Sequence, residues 1–103
     1  MDQIFFNGTY SGDSAVLLDG VSAVTDGTSL KVGPCQGSTY HILMTGTAVA
    51  SIEGSIDGGT SWYELGRSTA DLMFGVAYRL SHVRARVTSY TSGTVTVKFL
   101  GWR

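Results

Sequence analysis

The chain has 103 residues, which is room for one domain spanning residues 1–103. Hydrophobic residues make up 43% of the chain and charged residues 15%, a composition that excludes intrinsic disorder. The formal net charge of −1 offers no broad electrostatic attraction to nucleic acid or to an acidic membrane, so neither is expected as a partner.

Short β-prone runs follow one another from the start of the chain. Fourteen glycines and one proline separate runs rich in Val, Thr, Ile and Tyr. Runs spaced by about 8–12 residues are typical of β-sandwiches and barrels. In the first half the pattern predicts strands at residues 3–6, 14–18, 21–24, 29–32 and 39–45, with a turn-rich loop at 33–38. Within 39–45, alternation puts Tyr40, Ile42 and Met44 on one face and His41, Leu43 and Thr45 on the other.

The second half contains the clearest alternation. Strands are predicted at residues 48–57 and 61–65, joined by Asp57-Gly58-Gly59, whose glycines tolerate the positive φ of a tight turn. Two interpretations fit residues 66–75: a short helical turn at 68–71 or a loop. Further strands are predicted at 76–80, 82–88 and 94–99. The last two are expected to pair as an antiparallel hairpin with one buried face.

About nine strands and no long helix result from this pattern. We therefore predict an all-β fold, a single-domain antiparallel β-sandwich of jelly-roll or Ig-like type. Cys35 is alone, so no internal disulfide forms. The start of the chain, residues 1–6, lacks the basic segment and apolar run of a signal peptide, and no stretch reaches the roughly 20 apolar residues of a membrane span. Folding in a reducing cytoplasm is expected.

The hairpin turn resembles a named motif. Ser55, Asp57, Gly59 and Trp62, with Ser61 where Thr is usual, match the Asp box, Ser-x-Asp-x-Gly-x-Thr-Trp, of sialidase propellers and many secreted or viral β-proteins. The resemblance implies that the Asp accepts hydrogen bonds from turn amides and that the Trp packs beneath the turn. It implies a structural role, away from any catalytic centre.

Candidate chemical groups are few. His41 and His82 are far apart in sequence, and neither is near a carboxylate pair at ligand spacing. Most of the acidic residues lie in predicted turns, where an aspartate hydrogen-bonds to its own backbone; they include Asp13, Asp19, Asp26 and Asp57. A calcium site built from neighbouring turn aspartates is the alternative interpretation. Glu53 and Glu64 flank the hairpin turn as expected cross-strand neighbours, the arrangement that a paired-carboxylate glycosidase needs. We predict no catalytic residue, no metal and no cofactor.

Basic residues near the C-terminus are candidates for partner contact. Alternation places Arg84, Arg86 and Lys98 on one outward face of the last predicted hairpin. This face is either solvated or a surface for acidic groups of a partner protein. The terminal Trp102 and Arg103 are either tucked against the domain or form a contact arm.

The last half of the chain resembles small structural proteins of tailed bacteriophage virions. The resemblance lies in the hairpin from Ser55 to Gly66 and in the Thr- and Val-rich alternation from Val83 to Val97. It implies a non-enzymatic protein that binds a capsid or tail surface, commonly as a homotrimer, after production in the host bacterial cytoplasm. The first expectation is a capsid decoration or cement protein of the virion. A tail or head-fibre accessory protein is the alternative within that class.

A carbohydrate-binding β-sandwich is the alternative outside the virion class. It would expose Trp62, Tyr63 or Tyr90 as a platform on which sugar rings stack. An enzyme would need a cleft in which titratable groups converge, and no such group of residues is evident in the sequence.

Overall fold

A computed structural model describes residues 12–33 and 35–102. These residues form nine β-strands: β1 Gly12–Val21, β2 Thr25–Asp26, β3 Leu30–Lys31, β4 Gly37–Thr45, β5 Ala48–Ser55, β6 Tyr63–Ser68, β7 Leu72–Val76, β8 His82–Tyr90 and β9 Thr94–Trp102. In this part of the chain, no helix has the length and apolarity needed to cross a bilayer.

The strands form two antiparallel sheets. One has the order β1-β9-β4-β7, and the other has the order β2-β8-β5-β6, with β3 also pairing with β8. The pairings are nested around the 55–62 turn: β5 with β6, β4 with β7, β2 and β3 with β8, and β1 with β9. A long antiparallel ribbon rolled up in this way is a jelly roll. The predicted all-β sandwich is confirmed, and the strand order selects the jelly roll over the Ig-like alternative.

Alternating side chains fill the space between the sheets. Tyr40, Ile42, Ile52, Val83, Val87, Val95 and Val97 are among the largest fully buried side chains. The Tyr40 ring lies 5.4 Å from that of Phe74 and 5.7 Å from that of Phe99, measured between centroids. The period-2 pattern of the sequence therefore identifies the inward faces of β4, β5, β8 and β9.

The prediction that residues 82–88 and 94–99 pair as a hairpin is wrong. β8 pairs with β5 in one sheet, whereas β9 pairs with β4 and β1 in the other. Residues 91–93 thus carry the chain across the core from one layer to the other. Alternation specifies that each strand has one buried face, but two strands facing each other across a core satisfy it as well as two paired neighbours. Lys98 consequently lies on the opposite outer surface from Arg84 and Arg86.

Several predicted strand limits also differ from the structure. β1 continues through Asp19 and Gly20 to Val21, with register shifts that absorb the turn-forming residues, and residues 22–24 form no strand. The region 66–75, expected as a helical turn or a loop, contains the end of β6 and most of β7. Residues 77–80, expected as a strand, form an irregular connection to β8. The strand predicted at residues 3–6 lies outside the described residues.

Candidate functional site

Two arginines and two carboxylates form a network on the outer face of the β8 sheet. Arg84 Nε donates to Glu53 Oε1 at 2.7 Å, and Arg86 Nη1 donates to Glu53 Oε2 at 3.3 Å. Arg86 Nε also donates to Asp26 Oδ1 at 2.7 Å. Hydrogen bonds to Asp26 and Glu53 raise the pKa of the Arg86 guanidinium. Both arginines, which the sequence suggested for contact with an acidic partner, are therefore engaged by carboxylates of their own chain.

Glu53 and Glu64 face each other across β5 and β6, as the sequence predicts. The Glu64 carboxylate accepts hydrogen bonds from the buried Ser51 hydroxyl at 2.7 Å and from Arg67 Nε at 3.1 Å. The hydrogen bond from Ser51, followed by that from Arg67, lowers the pKa of Glu64. Each carboxylate is thus held by donors of its own sheet.

The 55–61 turn is closed by side-chain hydrogen bonds. Asp57 Oδ1 accepts from the Thr60 and Ser61 amides at 3.1 and 3.0 Å, and Asp57 Oδ2 accepts from the Ser61 hydroxyl at 2.5 Å. Ser55 Oγ donates to Asp57 Oδ1 at 2.7 Å and accepts from the Gly59 amide at 2.9 Å. The Ser61 hydroxyl and amide, with the other donors, hold the pKa of Asp57 well below its ordinary value of 3.8. This bonding gives the turn a defined shape.

Trp62 connects this turn to the arginine network. Its side chain is half-buried, and the Arg84 guanidinium carbon lies 4.3 Å from the ring centroid. A cation over an indole ring is attracted by the electron density of the ring face. Arg84 therefore has two partners, Glu53 and Trp62, which fix its position on the sheet.

An apolar groove with a volume of about 660 Å³ lies next to Trp62. Its floor is formed where Leu65 and Leu80 meet over Gly54, at which a Cβ would come within 2.8 Å of Leu80 Cδ1 and 3.2 Å of Leu65 Cδ1. The walls come from the turn between β5 and β6, from the start of β6 and from the connection 77–80, and they include Ile56, Trp62, Tyr63, Tyr78 and Arg79. We name this site the aromatic groove.

The side chains around the aromatic groove are unusually exposed. The exposed fraction is 75% for Tyr63, 57% for Tyr78 and 79% for Ile56. Sequence reasoning identified Trp62 and Tyr63 but missed Tyr78, because it assigned residues 76–80 to a strand. It considered Arg79 only as a neighbour of the Arg84, Arg86 and Lys98 face, whereas Arg79 lines the groove. Tyr90 does not belong to this site: it lies at the other end of β8, half-buried, with its hydroxyl donating to the Gly93 carbonyl at 3.0 Å.

The other candidate residues are dispersed. Lys98 is exposed on the outer face of the β1-β9-β4-β7 sheet, where its cross-strand neighbour is His41 of β4, whereas His82 lies on β8. Trp102 is half-buried, with its ring against Gly37, where a Cβ would overlap it. Arg103 lies outside the described residues. Among the residues that the structure covers, no group of three or more His, Cys, Asp or Glu side chains is placed to hold a metal ion.

Comparison with known proteins identifies the fold. No protein-family model and no curated protein sequence matches the chain. The crystal structure of the SPBc2 prophage-derived protein YomS superposes with a TM-score of 0.74 at 16% sequence identity, covering 88% of this chain and 92% of YomS. A subunit of Bacillus endospore appendages, described as disulfide-linked pili, superposes with a TM-score of 0.52 at 12% identity, covering 95% and 93% of the two chains. At these identities the likeness concerns the fold.

Proposed function

We propose that the chain is a non-enzymatic structural protein of a tailed-phage virion, and that it decorates the head by binding the capsid surface. The main support is the jelly roll that it shares, over nearly its whole described length, with a prophage-derived protein. The sequence resemblance to virion proteins points in the same direction. We further propose that it acts as a homotrimer, that it is made in the host bacterial cytoplasm and that it becomes part of the particle.

An apolar surface supports an attachment role. Exposed aromatic side chains cluster at the aromatic groove, and Trp, Tyr and Arg are the residue types enriched at the energetic centres of protein interfaces. The ion pairs on the β8 face instead satisfy their charges within the chain. We therefore assign attachment first to the groove. The contacts predicted from the sequence stay predictions: Arg84, Arg86, Lys98, Trp102 and Arg103.

Quantitative mass spectrometry of purified virions tests this proposal. A copy number comparable to that of the major capsid protein supports head decoration. A copy number comparable to that of tail proteins supports the alternative, a tail or head-fibre accessory protein. Absence of the chain from washed particles overturns both assignments.

A carbohydrate-binding module is the second candidate, and the exposure of Tyr63 and Tyr78 is the observation that favours it. Binding of the isolated protein to a glycan array, compared with its Tyr63→Ala variant, tests this function. A glycan signal that the substitution abolishes supports the module, and no signal on any glycan contradicts it.

A further inference from the structure

The aromatic groove lies beside main-chain groups that have no partner in the described chain. Among the described strands, β6 is the last in its sheet and pairs on one side only, with β5. Across the groove, residues 77–80 make no backbone-to-backbone hydrogen bond with any other described residue. An open strand edge is a template for an added extended segment, which gains affinity from main-chain hydrogen bonds.

The groove also offers a pocket for side chains. Its volume of about 660 Å³ is in the range of specific binding sites, and Leu65 and Leu80 give it an apolar floor. Tyr63 at the start of β6 and Tyr78 in the connection 77–80 both line the groove and are both exposed. A large aliphatic or aromatic side chain that enters the groove would bury apolar surface against the leucines and the tyrosine rings.

Arg79 determines the preferred charge of the ligand. Among the described residues that line the groove it is the single charged one, and no ion pair joins it to another residue in this part of the chain. A guanidinium binds a carboxylate through paired, charge-assisted hydrogen bonds. An acidic residue near the apolar anchor therefore complements the groove, whereas a basic residue there is repelled.

These features favour a polypeptide over a sugar. A sugar ring needs several side-chain donors and acceptors, but the two serine hydroxyls of the lining, Ser55 and Ser61, already donate to Asp57. The remaining polar side-chain groups of the lining are the tyrosine hydroxyls, the Trp62 indole N–H and the Arg79 guanidinium. The main-chain groups that no described residue pairs, on the outer edge of β6 and in residues 77–80, match an extended backbone.

We propose that the aromatic groove binds an extended segment of a partner protein that carries a large apolar side chain and a neighbouring carboxylate. The inference rests on the proposed function, because it names the contact through which the chain attaches to the capsid. It adds the ligand class, the anchoring side chain and the charge.

Selection from a yeast-displayed library of short random peptides tests the ligand class, with the full-length protein as bait. We expect enriched peptides to alternate apolar and polar residues and to contain an acidic residue. Their affinity should fall about tenfold or more for Tyr78→Ala, a loss of about 1.4 kcal/mol or more, as is usual when an interface anchor is truncated. For Arg79→Glu we expect a similar loss, and recovery by synthetic peptides in which lysine replaces the acid.

Met73→Ala is the matched control, because Met73 is also a highly exposed apolar residue, with an exposed fraction of 62%, but lies on β7 of the other sheet. It should bind the selected peptides like the wild type, and circular dichroism and thermal unfolding should show all variants folded. No enrichment, or equal binding to the groove variants, overturns the inference. Binding of an oligosaccharide panel that Tyr78→Ala abolishes, without peptide binding, also overturns it.

Attachment to particles separates this inference from the proposed function. If the chain is present on virions at high copy number and Tyr78→Ala and Arg79→Glu attach with unchanged occupancy, the groove assignment fails and the virion function stands. If the peptides bind as expected but the chain is absent from virions, the virion function fails and the ligand class of the groove is supported.

Discussion

Glu53 of β5 and Arg84 of β8 lie directly opposite each other, and Arg84 Nε donates to Glu53 Oε1 at 2.7 Å. The exposed fraction of the Glu53 side chain is only 13%, because Arg84 and Arg86 cover it. The charge of Arg84 is therefore paired within the sheet, which it stabilises, and is not free to bind a partner. Alternation shows that a charged side chain points outward, but it does not show whether a neighbouring strand already pairs that charge.

Removing the Glu53 charge is expected to destabilise the fold. Glu53→Gln removes the carboxylate that Arg84 and Arg86, side by side on β8, share. We expect the free energy of unfolding to fall by about 1–3 kcal/mol. Urea denaturation measures this loss. Asp26→Asn is the control: Asp26 binds the same Arg86, but its exposed fraction is 64%, so its loss should be about 0–1 kcal/mol. Equal losses for the two variants would contradict the proposed importance of burial.

The Asp57 carboxylate should make stability fall at acidic pH. Its pKa in the fold lies well below the ordinary 3.8, so its contribution is complete above pH 3.8 and is lost as the pH falls toward the folded value. Asp57→Ala should lower Tm at neutral pH, and the difference in Tm from the wild type should shrink as the pH falls below 4. Thermal unfolding followed by circular dichroism between pH 6 and pH 2 measures this trend. A constant difference in Tm across the series would contradict it.

Tyr40 should cause a loss of stability at alkaline pH. Burial raises the pKa of its hydroxyl from 10.0 to about 12. The neutral phenol is therefore favoured in the fold below pH 10, and its contribution is lost as the pH rises from 10 through 12. Tyr40→Phe should lose less stability than the wild type over this interval. Urea midpoints from pH 8 to pH 12 measure the difference, and parallel curves would contradict the prediction.

At neutral pH the same substitution leaves a buried donor without its acceptor. Ser38 Oγ donates to Tyr40 Oη at 2.7 Å, and both residues are buried. We expect Tyr40→Phe to cost about 1–2 kcal/mol and the Tyr40→Phe, Ser38→Ala double variant to cost less than the sum of the single changes. A double-mutant cycle in urea tests this coupling. Additive costs would mean that the hydrogen bond contributes nothing.

Gly93 should tolerate no side chain. Its φ is +86°, and a Cβ there would overlap the Thr45 carbonyl and lie 2.8 Å from Gly46 Cα, because the 91–93 and 46–47 crossovers pack backbone to backbone. We expect Gly93→Ala to cost about 3 kcal/mol or more, from the strained φ and the backbone clash together. Gly58→Ala is the matched control: φ is +78°, but no atom lies within 4 Å of the added Cβ. Its cost should be about 1 kcal/mol. Similar costs would show that conformation alone matters.

Much of the fold could be predicted from local pattern. Alternation along residues 39–45 and 82–88 identifies Tyr40, Ile42, Val83 and Val87 as inward, because successive side chains of a strand point to opposite faces. The Asp57-Gly58-Gly59 sequence likewise predicts the β5–β6 hairpin, and in the structure both glycines adopt the positive φ that the chain reversal needs. These features depend on neighbours in the chain.

The sheet partners and the candidate site depended on the tertiary structure. The sequence does not distinguish a β8–β9 hairpin from a crossover between layers, because both bury the same alternating face. Only the rolled topology brings Tyr78 and Arg79 beside Trp62, and only the register between β5 and β8 pairs Arg84 with Glu53. Sequence determined which faces are apolar and where the turn between β5 and β6 forms, since these are local properties. Which strands pair, and which side chains meet, depends on how the two sheets pack around one core.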